Sequence, residues 1–147
     1  MQQNIPSKNE SKVEELVALV IKEKWKYACK RQVPINGKIP DIVAYNSNSD
    51  TLIAVEIKLK NWKRGLYQAF LNKNIADFSF LCMPKNFYKG VRDKIYDDLK
   101  KTGLGFLEID SYNQEILIKK IPEKNVIRAE RRENLKKIVC GNGGEYE

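Results

Sequence analysis

Three residues in this chain carry ionisable groups where the surrounding pattern is apolar. Glu56 and Lys58 interrupt the stretch Leu52-Ile-Ala-Val-Glu-Ile-Lys-Leu59, and Asp41 follows Pro40 at the head of the apolar stretch before it. In an extended strand successive side chains alternate between faces. Ala54, Glu56 and Lys58 therefore share one face, while Ile53, Val55, Ile57 and Leu59 share the other. A strand this apolar is expected to be covered on both sides, and burying a carboxylate and an ammonium there costs several kcal/mol unless something compensates. One compensation is a structural ion pair between Glu56 and Lys58. The other is chemical. If the strands are neighbours, Asp41 lies beside Glu56, the two carboxylates raise each other's pKa, and a divalent cation turns their repulsion into attraction. Mg²⁺ is commonly held by one or two carboxylates plus waters and a substrate phosphate. Lys58 on the same face can then reach an attacking water or a phosphate and stabilise developing negative charge.

The rest of the composition narrows the chemistry. The chain has no histidine, which removes serine–histidine and cysteine–histidine catalysis and histidine-ligated zinc or iron. Its 27 basic and 19 acidic residues leave a formal charge of +8, a balance that suits a polyanion such as nucleic acid. Three cysteines, at 29, 82 and 140, form no C-x-x-C pair, so a disulfide framework or zinc site is not expected and a reducing cytoplasm is the expected location. No uninterrupted apolar stretch approaches the length of a membrane span, and the first residues lack the apolar core of a signal peptide.

The elements that must position the acids follow from periodicity and turn chemistry. Val13, Leu16, Val17 and Val20 recur at helical spacing, predicting a helix over 11–26 capped by Asn9 or Ser11. Residues 27–33 read as a strand, Asn36-Gly37 as a tight hairpin turn, and 39–45 as the returning strand. The strand over 51–59 comes next. Asn61 is expected to cap a helix over 62–76. A buried strand over 78–83 stops at Pro84, a helix over 91–101 ends at Gly103, and two short strands cover 104–109 and 114–121. This order predicts one α/β domain over 1–122, with a central mixed sheet flanked by helices and residues 1–9 frayed. Residues 123–147 are expected to form a charged helical extension with a flexible end.

Pro40-Asp41, an interval of 14 residues, then Glu56-Ile57-Lys58 resembles the PD-(D/E)xK signature of restriction-endonuclease-like nucleases. The likeness spans residues 11–84 and is closest to the small Holliday-junction-resolvase-like and RecB-like nucleases. It implies a restriction-endonuclease-like fold and Mg²⁺- or Mn²⁺-dependent hydrolysis of DNA. The metal would be held by Asp41, Glu56 and the Ile57 carbonyl, with Lys58 assisting the attacking water. It further implies a glutamate from the first helix, for which Glu10, Glu14 and Glu15 are candidates and Glu14 is preferred because it borders the apolar stripe. It also implies a contribution from Gln68 on the helix after the motif. Lys60, Trp62, Lys63 and Arg64, with Tyr67 close by, interleave cations and aromatics in a way that suits a nucleic-acid backbone. A basic run at Arg128, Arg131, Arg132, Lys136 and Lys137 is a weaker second strip, diluted by Glu130 and Glu133. A homodimer fits a small domain that cuts one strand at a time. A member of this fold that binds DNA or assembles without cutting is the alternative.

Overall fold

The computed structural model describes residues 8–141. A six-stranded mixed sheet runs in sequential order, with β1 (Ala28–Arg31), β2 (Ile42–Asn46), β3 (Thr51–Ile57), β4 (Phe78–Pro84), β5 (Gly105–Asp110) and β6 (Glu115–Lys120) side by side. The first three strands form an antiparallel meander, β3, β4 and β5 are parallel, and β6 returns antiparallel. Parallel neighbours need a crossover, supplied here by α2 (Trp62–Leu71) between β3 and β4 and α3 (Arg92–Thr102) between β4 and β5. The other two helices are α1 (Lys8–Glu23) and α4 (Ala129–Cys140).

The strands place alternate residues on two cores. Ile53, Val55 and Ile57 of β3 pack with Val17 and Ile21 of α1, whereas Leu52 and Ala54 pack with Leu135 and Val139 of α4. Ala69 of α2 and Ile95 and Leu99 of α3 close the same face further along, over Leu81, Met83 and Phe106. Glu56 therefore points toward the layer that contains α2 and α4.

Local chemistry sets several boundaries. Asn36 and Gly37 have φ of 50° and 79°, the left-handed pair that a type I′ turn requires, and Ile35 and Lys38 bridge across it. Asn61, itself left-handed, caps α2 by accepting from Arg64 N. Leu99 O accepts from Gly103 at the end of α3. Several boundaries differ from the sequence expectation. α1 ends at Glu23 rather than at 26. β2 begins at Ile42 and β3 ends at Ile57, so that Asp41 and Lys58, expected within strands over 39–45 and 51–59, flank those strands instead. Asn9 and Ser11 lie inside α1 and do not cap it. The helix expected over 62–76 ends at Leu71 and continues as a 3₁₀ turn, Asn72–Asn74, a tightening that turns the Asn72 side chain into the core. The fraying expected over 1–9 and the flexible end expected after 141 fall outside the described residues, save for Lys8 and Asn9, which are helical. Among the described residues no helix is long and apolar enough to cross a membrane.

Candidate functional site

Asp41, Glu56 and Lys58 meet at the C-terminal end of β3, where the meander and the first crossover helix converge. Asp41 stands one residue before β2, and Ile42 pairs with Val55, so Asp41 lies opposite Glu56. Two main-chain bonds lock this placement. Ile57 N donates to Asp41 Oδ2 at 2.8 Å, and Asp41 N donates to Glu56 Oε2 at 3.3 Å. Asn72 Nδ2, from the 3₁₀ turn after α2, donates to the same Glu56 oxygen at 3.0 Å.

Glu56 is 3% exposed, yet among the described residues neither it nor Asp41 has a cation within ion-pair distance. The structural Glu56–Lys58 ion pair is thus not formed. Burial, and next the negative charge of Asp41, push the Glu56 carboxyl up to about 8. Burial also raises Asp41, opposed by the bonds from Ile57 N–H and Gln32 and by the positive charge of Lys58. Two carboxylates this close raise each other's pKa when no cation stands between them.

Lys58 is aimed by packing. A Cβ built on Gly65 of α2 would stand 2.4 Å from Lys58 Cγ and 2.9 Å from Leu81 Cδ1. The absence of a side chain at 65 is what lets the helix lie against the Lys58 stem. Any larger residue there must displace the lysine.

Glu14 joins this group at one remove. It is 3% exposed and accepts from Arg31 Nε at 2.8 Å and from Gln32 Nε2 at 2.9 Å. The same Gln32 amide nitrogen also reaches Asp41 Oδ1 at 3.1 Å, so a single amide bridges the two acids. Burial raises the Glu14 carboxyl, an effect that Arg31 opposes. Glu10, one turn earlier, accepts from Leu59 N at 3.3 Å, while Glu15 is exposed. Two of the three candidate glutamates of α1 therefore face the end of β3.

A cavity of about 250 Å³ opens beside Glu56, lined by Gly37–Pro40 of the hairpin and by Arg64, Tyr67, Gln68 and Asn72. Gln68 brings a buried amide oxygen with no hydrogen-bond partner. Arg64 is exposed at its rim, with Lys60 and Lys63 exposed nearby. Tyr67 is 63% exposed. Trp62 is half-buried and packs against the core under α2 and α3, with Lys63 Nζ 5.8 Å from its ring centre.

Arg31, Gln32 and Asn72 are neighbours of the site that the motif does not include. Gln32 is within reach of a count. Stepping outward residue by residue from the Asn36–Gly37 turn pairs Gln32 with Asp41, and Gln32 N donates to Asp41 O at 2.9 Å. Asn72 carries no such signal. Asp41 and Glu56 supply two hard oxygen donors. Among the described residues no group of three or more acidic or thiol side chains is arranged to hold a metal ion by itself.

No family model matches the chain, and no curated protein matches it in sequence. Solved structures do. A protein of unknown function, SPO1766, from Silicibacter pomeroyi shares 16% identity at a TM-score of 0.63, covering 89% of this chain and 92% of its own. An XisH family protein from Nostoc punctiforme has 17% identity and a TM-score of 0.53, over 77% of this chain and 98% of its own. An fdxN element excision controlling factor protein from Anabaena variabilis has 19% identity and a TM-score of 0.54, over 72% and 96%. At such identities the likeness speaks to the fold. It is a single α/β domain with a six-stranded mixed sheet flanked by helices, consistent with a restriction-endonuclease-like architecture.

Proposed function

We propose that this protein is a divalent-metal-dependent nuclease that hydrolyses phosphodiester bonds in DNA. The observation that carries the reading is the pair of buried Glu56 and half-buried Asp41, side by side with no ion-pair partner among the described residues. When both acids are ionised such a pair costs folding free energy, and a bound cation would offset that cost.

The donor set fits Mg²⁺ or Mn²⁺. Two carboxylates, joined by the Ile57 carbonyl at the strand end, are hard oxygen ligands of the number Mg²⁺ takes from protein, the remainder being water and substrate phosphate. Zinc, which favours histidine and thiolate, has neither here. When bound, the ion lowers the pKa of water and offsets charge on the phosphate.

The chain's own residues do the rest. Ile57 N–H holds Asp41 so that one carboxylate oxygen is fixed and the other is shared with Gln32. Asn72 and Asp41 N–H both donate to one oxygen of Glu56, Oε2, and so hold that oxygen in place. Lys58, held by its packing on Gly65, brings a positive charge to the attacking water and the scissile phosphate. The unpartnered amide oxygen of Gln68 and the guanidinium of Arg64 line the adjoining cavity, where the oxygen suits a donor on a base edge or a water and the guanidinium suits a phosphate. Glu14 positions Gln32 and thereby Asp41.

The decisive assay incubates the protein with linear, nicked, branched and single-stranded DNA, with Mg²⁺ or Mn²⁺ and with chelator. Cleavage is expected only with metal. Asp41→Ala, Glu56→Ala and Lys58→Ala should each lower it by about a hundredfold or more, with unchanged circular dichroism. Equal cleavage by all three variants, or none by the parent with any substrate, would remove the reading.

A further inference from the structure

The basic run of the C-terminal helix is sorted by the fold into two groups that face different ways. Arg132 and Lys136 turn toward the sheet. Arg132 Nη1 lies 2.6 Å from Asp77 Oδ1 and its Nη2 3.3 Å from Asp50 Oδ1, and Lys136 Nζ lies 3.3 Å from Glu133 Oε2 and 3.7 Å from Asp50 Oδ1. Their charge is used internally. Arg128, Arg131 and Lys137 instead line an open groove of about 470 Å³ between α4 and the hairpin residues Pro34, Ile35 and Asn36. Among the described residues none of the three has an ion-pair partner. Arg131 spends one nitrogen on Asn74 O. Glu130 is the single acid on the groove wall, so the lining keeps a net positive balance.

The groove adjoins the carboxylate site through the hairpin. Residues 34–36 form its wall, and Gly37–Pro40, next in the chain, wall the cavity that contains Glu56. The two hollows thus flank one tight turn. Lys38 stands on the site side of that turn, and exposed Ile39, Tyr67 and Ile138 leave apolar surface along the way.

We infer that the groove between α4 and the Asn36–Gly37 hairpin is an extended binding track for the phosphodiester backbone of the DNA strand that enters the Asp41–Glu56 site, with Arg128, Arg131 and Lys137 as its phosphate contacts. The inference rests on the nuclease reading for the identity of the strand. The groove's own observations are its unspent cations and its continuity with the site. Unpaired cations along an open channel neutralise successive phosphates and release counterions, and they carry no base preference. The track therefore extends contact length without setting sequence specificity.

The test measures binding of single-stranded oligonucleotides of increasing length to the full-length protein in chelator, by fluorescence anisotropy across a salt series. The double variant Arg128→Gln/Lys137→Gln removes two groove charges whose side chains make no described bond within the protein, so the fold is kept. A control, Lys12→Gln/Lys22→Gln, removes two exposed charges from α1 on the other face. Parent and control should gain affinity as the strand lengthens beyond a trinucleotide. The groove variant should lose that gain, and its log–log salt slope should be shallower by about 0.7 per residue removed. Metal-dependent cleavage of a trinucleotide should be unchanged in it. If the groove variant and the parent share the same length dependence and slope, the track is overturned while the nuclease reading stands. If the parent binds as described but never cuts, the track stands and the nuclease reading falls. Displacement of DNA by polyglutamate at matched charge would assign the groove to acidic polypeptides and overturn the inference.

Discussion

Two ends of the same sheet bury carboxylates, and they treat them in opposite ways. At the start of β4, Asp77 accepts from Leu52 N at 2.9 Å and from Arg132 Nη1 at 2.6 Å, and Arg132 also donates to Asp50 O. Each oxygen has a donor and the charge has a counter-charge. At the end of β3, both oxygens of Asp41 and Oε2 of Glu56 have donors, but neither acid has a cation at ion-pair distance among the described residues. Hydrogen bonds satisfy geometry, but they do not remove the repulsion between two ionised acids. The first end is therefore a structural fastener that holds α4 to the sheet, and the second is a carboxylate pair left without a counter-charge among the described residues.

The comparison breaks most severely at the satisfied end. Arg132→Ala leaves Asp77 buried and without its cation, a change that typically costs about 3–5 kcal/mol. Urea melts of the variant should show that loss, together with release of α4. A variant as stable as the parent would mean that the fastener carries little weight.

At the unsatisfied end the sign reverses. Unfolded, Glu56 releases its proton near the ordinary 4.5, whereas folded it holds it up to about 8. The native state binds the extra proton between those values, so this contribution to stability is complete below 4.5 and is lost as pH rises through about 8. Glu56→Gln removes the titration. The variant should match the parent near pH 4 and exceed it above pH 8 by on the order of 2–3 kcal/mol, after allowance for the altered bonds to Asn72 and Asp41. The gap between the two stability–pH curves is the measurement, and a gap that does not widen with pH would show that burial and the neighbouring Asp41 do not raise the Glu56 carboxyl.

The smallest effect sharpens the contrast without substrate. A ligand that binds only the folded form stabilises it by mass action, so Mg²⁺ at roughly tenfold excess over its Kd should add about 1.4 kcal/mol, a melting shift of roughly 3–6 °C for a domain of this size. Asp41→Asn should lose most of this shift and retain its stability in chelator. Thermal melts with Mg²⁺ and with chelator decide it. A parent that shows no metal-dependent shift at tens of millimolar Mg²⁺ would count against the site as a cation site.

Much of this molecule is legible in its residues, for physical reasons that are local. The element order follows from period and punctuation, because apolar spacing, Asn36-Gly37, Asn61 and Gly103 act within a few residues of themselves. The Asn36–Gly37 turn also determines the register of the first hairpin, and with it the pairing of Gln32 with Asp41, while the short connection from Asn46 to Thr51 places Asp41 opposite Glu56. The alternation of Glu56 against its chain neighbours Val55 and Ile57 identifies the acid's face. What the tertiary structure alone decided involves groups far apart in the chain. Asn72 reaches Glu56 because α2 tightens into a 3₁₀ turn over the sheet. Arg31 and Gln32 engage Glu14 because α1 crosses the hairpin. The cations of α4 divide between the sheet and the open groove according to which side of the helix meets Asp50 and Asp77. A single sequence shows charge and period, but which charges are neutralised depends on partners brought together only by the closed fold.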